Sequence, residues 1–314
     1  MIVVTGGAGF IGSNLVHGLN AAGRRDILVV DDLTDGNKFR NLAAADFSDY
    51  LDKEEFGHLL DSNAAALDGV TAVLHQGACT DTTERDGRYM MDANYRWSKR
   101  LLHYCLARRL PFIYASSGAV YGSGDDFSEA GANLRPVNVY GWSKYLFDRY
   151  VRARLPACAS PVAGLRYFNV YGPGEAHKGA MASVIRHFNR QLLEDGEVRL
   201  FRGSGGYADG EQRRDFIHVD DVVRVNLWLL AQGDRSGIFN VGTGVDRSFN
   251  DVAGAVIGWH GRGRIRYIDF PDNLRGSYQS FTRADTRALR QAGYEAGFLT
   301  LEEGVARYLD RLNG

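Results

Sequence analysis

Short apolar runs, separated by glycine turns and by segments of helical spacing, organise the first half of the chain. Ile2 to Thr5 is one such run, and from Ser13 to Leu19 the spacing turns helical, with Leu15, Val16 and Leu19 on one side. Ile27-Leu28-Val29-Val30 reads as a second strand, ending in Asp31-Asp32. Further strands are predicted over Ala72–His75 and Pro111–Ala115, with a weaker one over Pro161–Arg166. Helical stretches fall between them, around Tyr95–Arg108 and Gly141–Arg154. Runs that stay apolar rather than alternating mark strands covered on both faces, as in a parallel sheet. The chain therefore reads as α/β, a doubly wound parallel sheet of the Rossmann type with right-handed crossovers. After about Tyr167 the pattern becomes irregular, and loops rich in glycine and arginine separate short elements. This predicts a first domain over 1–168 and a smaller, partly irregular one over 169–314, with 216–240 returning to the first. Gly205 to Gln212 reads as an exposed loop.

Charge narrows the range of partners. Lysine and arginine (37) nearly balance aspartate and glutamate (38), so no electrostatic footprint for nucleic acid or an anionic membrane is present. With 314 residues, 45% of them hydrophobic, the chain can bury a sizeable core. No stretch approaches the ~20 apolar residues of a spanning helix. The N-terminus lacks the basic flank and long apolar run of a signal peptide, so a cytoplasmic location is expected. Cys79, Cys105 and Cys158 stand at unrelated spacings, which suits neither a disulfide framework nor zinc. His75, His177, His187 and His218 also miss zinc-ligand spacing, and no metal is expected.

Chemistry enters at the first turn. Gly6, Gly9 and Gly12 lie between the first strand and the first helix. There a turn must be tight, the backbone must approach a pyrophosphate, and a helix N-terminus must aim its N–H groups at it. Asp31, 19 positions beyond Gly12, stands where a carboxylate can accept bonds from the adenosine ribose. That favours NAD, whereas Lys38 and Lys53 are candidate partners for the 2′-phosphate of NADP. The pattern leaves the choice open.

Tyr140 and Lys144 are four residues apart on a predicted helix, so both heads reach one pocket. A phenol ionises near pH ~10. A fixed ammonium beside it favours the phenolate and brings it within range of general base work. Ser116-Ser117 follow the strand ending at Ala115, where a hydroxyl points into the ligand crevice of a parallel sheet. Ser117 is the candidate to hold a substrate oxygen while Tyr140 handles the proton.

With Thr5-Gly6-Gly7-Ala8-Gly9-Phe10-Ile11-Gly12, Ser117, Tyr140 with Lys144, and Arg214-Asp215-Phe216-Ile217-His218-Val219-Asp220-Asp221, the chain resembles the extended short-chain dehydrogenase/reductase family. Within it, Asp35-Gly36-Asn37-Lys38-Phe39, Arg88-Tyr89-Met90-Met91-Asp92 and His177-Lys178-Gly179 make the chain similar to the ADP-heptose epimerase branch, nearly end to end. The resemblance implies an isomerase that inverts C6 of ADP-D-glycero-D-manno-heptose through a transient ketone, supplying heptose for the lipopolysaccharide core. It implies a bound NADP, recycled within each turnover, and a homo-oligomer, a pentamer in that branch. Phe10, Ile11, Asp31, Asp32, Lys38, Lys53, Gln76, Gly77, Ala78, Cys79, Thr80, Asn94, Lys144, Val170 and Lys178 would line the cofactor. Asn169, His187, Phe201, Arg202, Gly203, Ser204, Arg214 and Tyr278 would face the ADP-sugar, and Lys178 would act as a second base beside Tyr140.

Some positions depart from the branch. Asp32 replaces a usual asparagine and would repel a 2′-phosphate, so NAD stays open; Ala180 stands where a substrate-contacting serine is expected. A UDP-hexose 4-epimerase would keep Ser117, Tyr140 and Lys144 but has no need of Lys178. A 4,6-dehydratase would want an acid pair where Ala119-Val120 stand. A nucleotide sensor without chemistry would be expected to lose Tyr140 or Lys144, and both are present.

Overall fold

The computed structural model describes residues 1–62, 64–130, 134–271 and 279–314. In chain order its first elements are β1 (Ile2–Thr5), α1 (Phe10–Ala21), β2 (Ile27–Asp31), β3 (Asp49–Asp52), α2 (Lys53–Asp61), β4 (Ala72–His75), α3 (Gly87–Met90), α4 (Trp97–Arg108), β5 (Phe112–Ser117), α5 (Val139–Arg152) and β6 (Val162–Tyr167). There follow β7 (Asn169–Tyr171), α6 (Val184–Asp195), β8 (Glu197–Phe201), β9 (Arg213–His218), α7 (Val219–Gln232), β10 (Gly237–Val241) and β11 (Asp246–Ser248). The chain ends with α8 (Phe249–His260), β12 (Arg264–Ile268), α9 (Arg287–Gln291) and α10 (Leu301–Asn313). No helix among the described residues is long and apolar enough to cross a membrane.

Among the described residues, seven strands form a parallel sheet in the order β10-β6-β5-β4-β1-β2-β3. β1 pairs in register with β2 on one side and β4 on the other, Ile2 standing opposite Ile27 and Ala72. The order reverses at β1 and β4, so a crevice opens beyond their carboxyl ends, where ligands bind in such sheets. Every residue of β1, β2 and β4 is buried, as their unbroken apolar character requires. Phe56, Leu101, Leu102, Cys105 and Phe112 pack with these strands in one core. Trimming Leu101 to alanine there costs roughly 2–5 kcal/mol. The edge strand β3, Asp-Tyr-Leu-Asp, carries too little apolar character to be read from the sequence.

The chain divides into two compact units. The first holds Met1–Ser117, Val139–Arg166 and Val222–Phe239; the second holds Gly118–Asn138, Tyr167–Asp221 and Asn240–Gly314. Two boundaries differ from those expected. Residues 118–138 belong to the second unit, because Asn240 draws them there: its amide nitrogen donates to Phe127 O at 2.6 Å, its backbone N–H to Glu129 at 2.8 Å, and Tyr121 donates to its Oδ1 at 2.6 Å. The returning segment starts at 222 rather than 216, since β9 is the middle strand of the β11-β9-β7 sheet of the second unit. The second unit has its own core, with Ile185, Phe188 and Leu192 of α6 against Val252, Val256, Val305 and Tyr308. Its helices start cleanly. Ser183 caps α6, and Ser248 with Asp251 and Thr300 with Glu303 form capping boxes.

Candidate active site

The glycine turn closes at the sheet's reversal point. Gly6 has φ +66°, and a Cβ there would lie 2.5 Å from the backbone nitrogen of Gly77, so only glycine lets β1 and β4 meet this way. A Cβ on Gly12 would lie 2.0 Å from Gly6 O. Gly9 caps α1 without a side chain, and Phe10 and Ile11 open the helix. Its N-terminal end is thus presented as backbone to whatever fills the crevice.

Asp31 does something the sequence did not announce. Its Oδ2 accepts from the N–H groups of Ala8 (2.7 Å) and Gly9 (3.1 Å), and its Oδ1 from Lys38 Nζ (2.7 Å) and the N–H of Asp32 (2.7 Å). A carboxylate offers about four lone-pair sites, so these donors saturate it. Asp31 pins the glycine turn to the end of β2, and a ribose hydroxyl would reach it by displacing Lys38. Lys38 also donates to Asp32 O. Asp32 accepts from the Thr34 N–H and hydroxyl, and those bonds, helped by Lys38 and Lys53, hold its carboxyl below the ordinary value.

A cavity lies beside this turn, lined by Gly6, Asp31, Asp32, Lys38 and Lys53 and, from beyond β4, by Gly77, Ala78 and Cys79. Tyr89, Ala93 and Trp97 also line it, and none of the three was among the expected cofactor contacts. Gln76, the residue before the lining Gly77, has both side-chain amide atoms shut from solvent and without a hydrogen-bond partner. Such a group normally has a partner. An orphaned amide next to a glycine cradle that no Cβ can enter is what a dinucleotide would satisfy, and the residues present fit one. Thr80 is exposed at the end of that loop. Asn94 faces inward: it exchanges bonds with the backbone of Cys79 (2.8 and 2.9 Å) and donates to Ser143 (3.1 Å), bracing the loop against α5.

Tyr140 lies in the first turn of α5 and Lys144 one turn on. The two adjacent serines separate cleanly. Ser117 is hydrogen-bonded to the Tyr140 phenol, whereas Ser116 donates inward to Asp148 at 2.9 Å. Lys144 is buried and donates to Ala115 O at 2.9 Å. Burial pushes its amine down to about 8, opposed by the Asp148 carboxylate one further turn along and by Cys79. Asp148 in turn accepts from Tyr114 (3.0 Å) and pairs with the fully buried Arg166 (2.8 Å). One expectation is corrected here. Burial raises the Tyr140 phenol above its ordinary value, with Ser117 opposing, so the ammonium does not bring it down within the protein alone. Desolvation outweighs the Ser117 hydrogen bond.

The other candidates belong to the second unit. Asn169 and Val170 are on β7, and Lys178 is on a 3₁₀ turn over Ala176–Met181. Burial pushes the Lys178 amine below its ordinary value, and Glu175 opposes the shift. His187 on α6 reaches Ala180 O at 3.3 Å. Phe201 ends β8, and exposed Arg202 pairs with Asp269 at 3.3 Å. The Gly203 N–H donates to Asp209 (2.8 Å), and Gln212 donates to Ser204 (3.1 Å). Arg214 is buried, donates to Arg213 O at 3.0 Å and lies over the Phe249 ring at 5.8 Å. Tyr278 lies outside the described residues.

A sheet order of this kind, a glycine turn at its reversal and a serine–tyrosine–lysine set beside it define a dinucleotide-binding protein of the short-chain dehydrogenase type. The sequence model of the NAD dependent epimerase/dehydratase family matches residues 2–242, and the chain belongs to that family. It is 58% identical over 310 residues to an ADP-L-glycero-D-manno-heptose-6-epimerase of Alkalilimnicola ehrlichii, covering 99% of this chain and 97% of that one. Among solved structures it is similar to the Helicobacter pylori enzyme of the same name (TM-score 0.84, 29% identity, 99% and 95% of the two chains). A Thermotoga maritima UDP-glucose 4-epimerase with UDP-glucose is also similar (TM-score 0.83, 28% identity, 99% and 98%).

Proposed function

We propose that this chain is an isomerase that inverts C6 of ADP-D-glycero-D-manno-heptose to give the L-glycero epimer. The observation that carries the substrate is the 58% identity, end to end, to a relative bearing that activity's name. Lys178 agrees with it, since a 4-epimerase has no use for a second base there.

C6 carries a hydroxyl but no acidic proton, so inversion needs transient oxidation. A dinucleotide bound at the glycine turn supplies the hydride sink and source, and no external oxidant is consumed. Tyr140 takes the hydroxyl proton of one epimer while Ser117 holds the oxygen. The exocyclic C6 group of the ketone turns, presenting its other face, and Lys178 exchanges the proton of the second epimer. For that Lys178 must spend time as a neutral amine, which its burial favours. Lys144 would hold the nicotinamide ribose and bring its ammonium toward the reacting oxygen. Arg214 would meet the ADP pyrophosphate through a charge-assisted bond.

NADP is the cofactor this reading favours, with Lys38 and Lys53 as the 2′-phosphate contacts. Both line the same cavity as Asp31 and Asp32, so two ammonium groups offset two carboxylates. The resemblance of the sequence extends this to a cytoplasmic homo-oligomer that supplies lipopolysaccharide heptose. The test is to incubate the purified protein with ADP-D-glycero-D-manno-heptose and, separately, with UDP-glucose, following each sugar by NMR. Epimerisation at C6 of the heptose alone is expected. Inversion at C4 of the hexose with no change in the heptose overturns the reading.

A further inference from the structure

The turn that carries Lys178 is short and leaves helical geometry at its one glycine. Gly179 adopts φ 53°, ψ −120°, a backbone that L side chains rarely take. One buried carboxylate spans this turn. Glu175, the residue just before the turn, is fully buried, with its backbone oxygen accepting from the Lys178 N–H at 3.0 Å. Its side chain reaches across to the far end. Oε2 accepts from the Ser183 N–H at 2.6 Å and Oε1 from the Ser183 hydroxyl at 2.5 Å. Ser183 is also the N-cap of α6, so the same contact fixes where the turn becomes helix. A third donor arrives from the far end of the chain: the Tyr308 hydroxyl of α10 meets Oε1 at 2.8 Å. Burial raises the Tyr308 phenol well above its ordinary range, so it stays a donor. Three donors converging on one buried carboxyl suit an anion.

We propose that Glu175 is a positioning residue for Lys178: its carboxylate clasps both ends of the 176–181 turn and provides the buried negative charge that faces the lysine. This rests on the reading of Lys178 as the second base. The other charged or titratable groups around the turn are His177 on the turn itself, Arg186 and His187 on α6, and Tyr308 on α10. None of them is an anion while Tyr308 keeps its proton. Burial alone pushes the Lys178 amine down, and Glu175 works against that. Glutamine at 175 removes the charge and turns an N–H₂ toward donors, loosening both ends of the clasp.

The test uses the full chain with its dinucleotide and compares wild type, Glu175→Gln, Tyr308→Phe and Lys178→Met. Lys178 is titrated directly, by trace acetic anhydride labelling across pH with mass spectrometric readout. Epimerisation is measured in parallel. In Glu175→Gln the labelling profile is expected to move to lower pH. The kcat should fall about tenfold to a hundredfold, as when a reacting group is misplaced by an ångström, with KM changing far less. Tyr308→Phe keeps the charge and loses one bond, so its kcat falls by a smaller factor with the labelling profile in place. It also carries the test should Glu175→Gln fail to fold: an unchanged kcat in Tyr308→Phe then overturns the clasp. A Glu175→Gln labelling profile that superimposes on wild type overturns the proposal outright. If the profile moves but Lys178→Met epimerises normally, the clasp stands and the assignment of Lys178 as a base falls.

Discussion

Two lysines in this molecule are treated alike by burial and differently by architecture. Lys144 in the first unit and Lys178 in the second are both pushed down from the ordinary lysine range, and each faces one buried carboxylate that resists the push. For Lys144 that carboxylate is Asp148, one turn along the same helix, locked to Arg166, Tyr114 and Ser116. For Lys178 it is Glu175, at the mouth of a short turn, locked to Ser183 and to Tyr308. A helix fixes its lysine through its own periodicity. A turn has no such regularity and must borrow rigidity from a distant element. The first suits a charge that must stay put, and the second an amine whose proton comes and goes.

The strongest way to break this comparison is to remove the reacting groups. Tyr140→Phe and Lys178→Met should each lower kcat by about 10²–10⁴, the usual size of acid–base contributions. Near-normal turnover in Lys178→Met would leave Tyr140 alone and end the parallel. Asp148→Asn sharpens the helix side: it takes the carboxylate of a buried ion pair away from Arg166 and should cost roughly 3–5 kcal/mol in urea unfolding. It should also move the loss of the Lys144 proton below pH 8. A loss of stability under about 1 kcal/mol would mean that the pair is dispensable.

His75 shows what burial does with no carboxylate to resist it. It is buried between Thr5 (2.6 Å) and Ser98 (2.8 Å), and desolvation, with help from Lys144, pushes it down to about 3. In the unfolded chain it titrates near ~6.5. Between these values the unfolded state binds the proton and the folded state does not, so stability rises with pH and falls as pH drops from 6.5 toward 3. From pH 6.5 to 5 the loss from this residue should be about 2 kcal/mol. Urea midpoints of wild type and His75→Phe across that range measure it, and parallel slopes would contradict it.

What the sequence disclosed follows the same division. The glycine turn, strands β1, β2 and β4 and the Tyr140–Lys144 pair were legible because each depends on neighbours within a few positions. Ser117 was already the candidate in the sequence, and the structure adds that Asp148 claims its neighbour Ser116. Asp31 was read as a ribose acceptor from its spacing, yet one of its oxygens goes to Ala8 and Gly9, 23 and 22 positions away. The membership of residues 118–138 turns on Asn240, more than a hundred positions on. Glu175 carried no signal at all, since its partner Tyr308 lies 133 residues downstream. Lys178 itself came from resemblance and not from pattern.

In the proposed mechanism both lysines serve a transient oxidation at C6, and an isotope tests that step most directly. ADP-D-glycero-D-manno-heptose carrying deuterium at C6 is incubated with the holoenzyme in ordinary water, and the product is read by NMR and mass spectrometry. The L-glycero epimer should form with its deuterium still on C6, because the hydride that leaves is the one that returns. Replacement of that deuterium by solvent hydrogen, or recovery of the starting epimer unchanged, would contradict it.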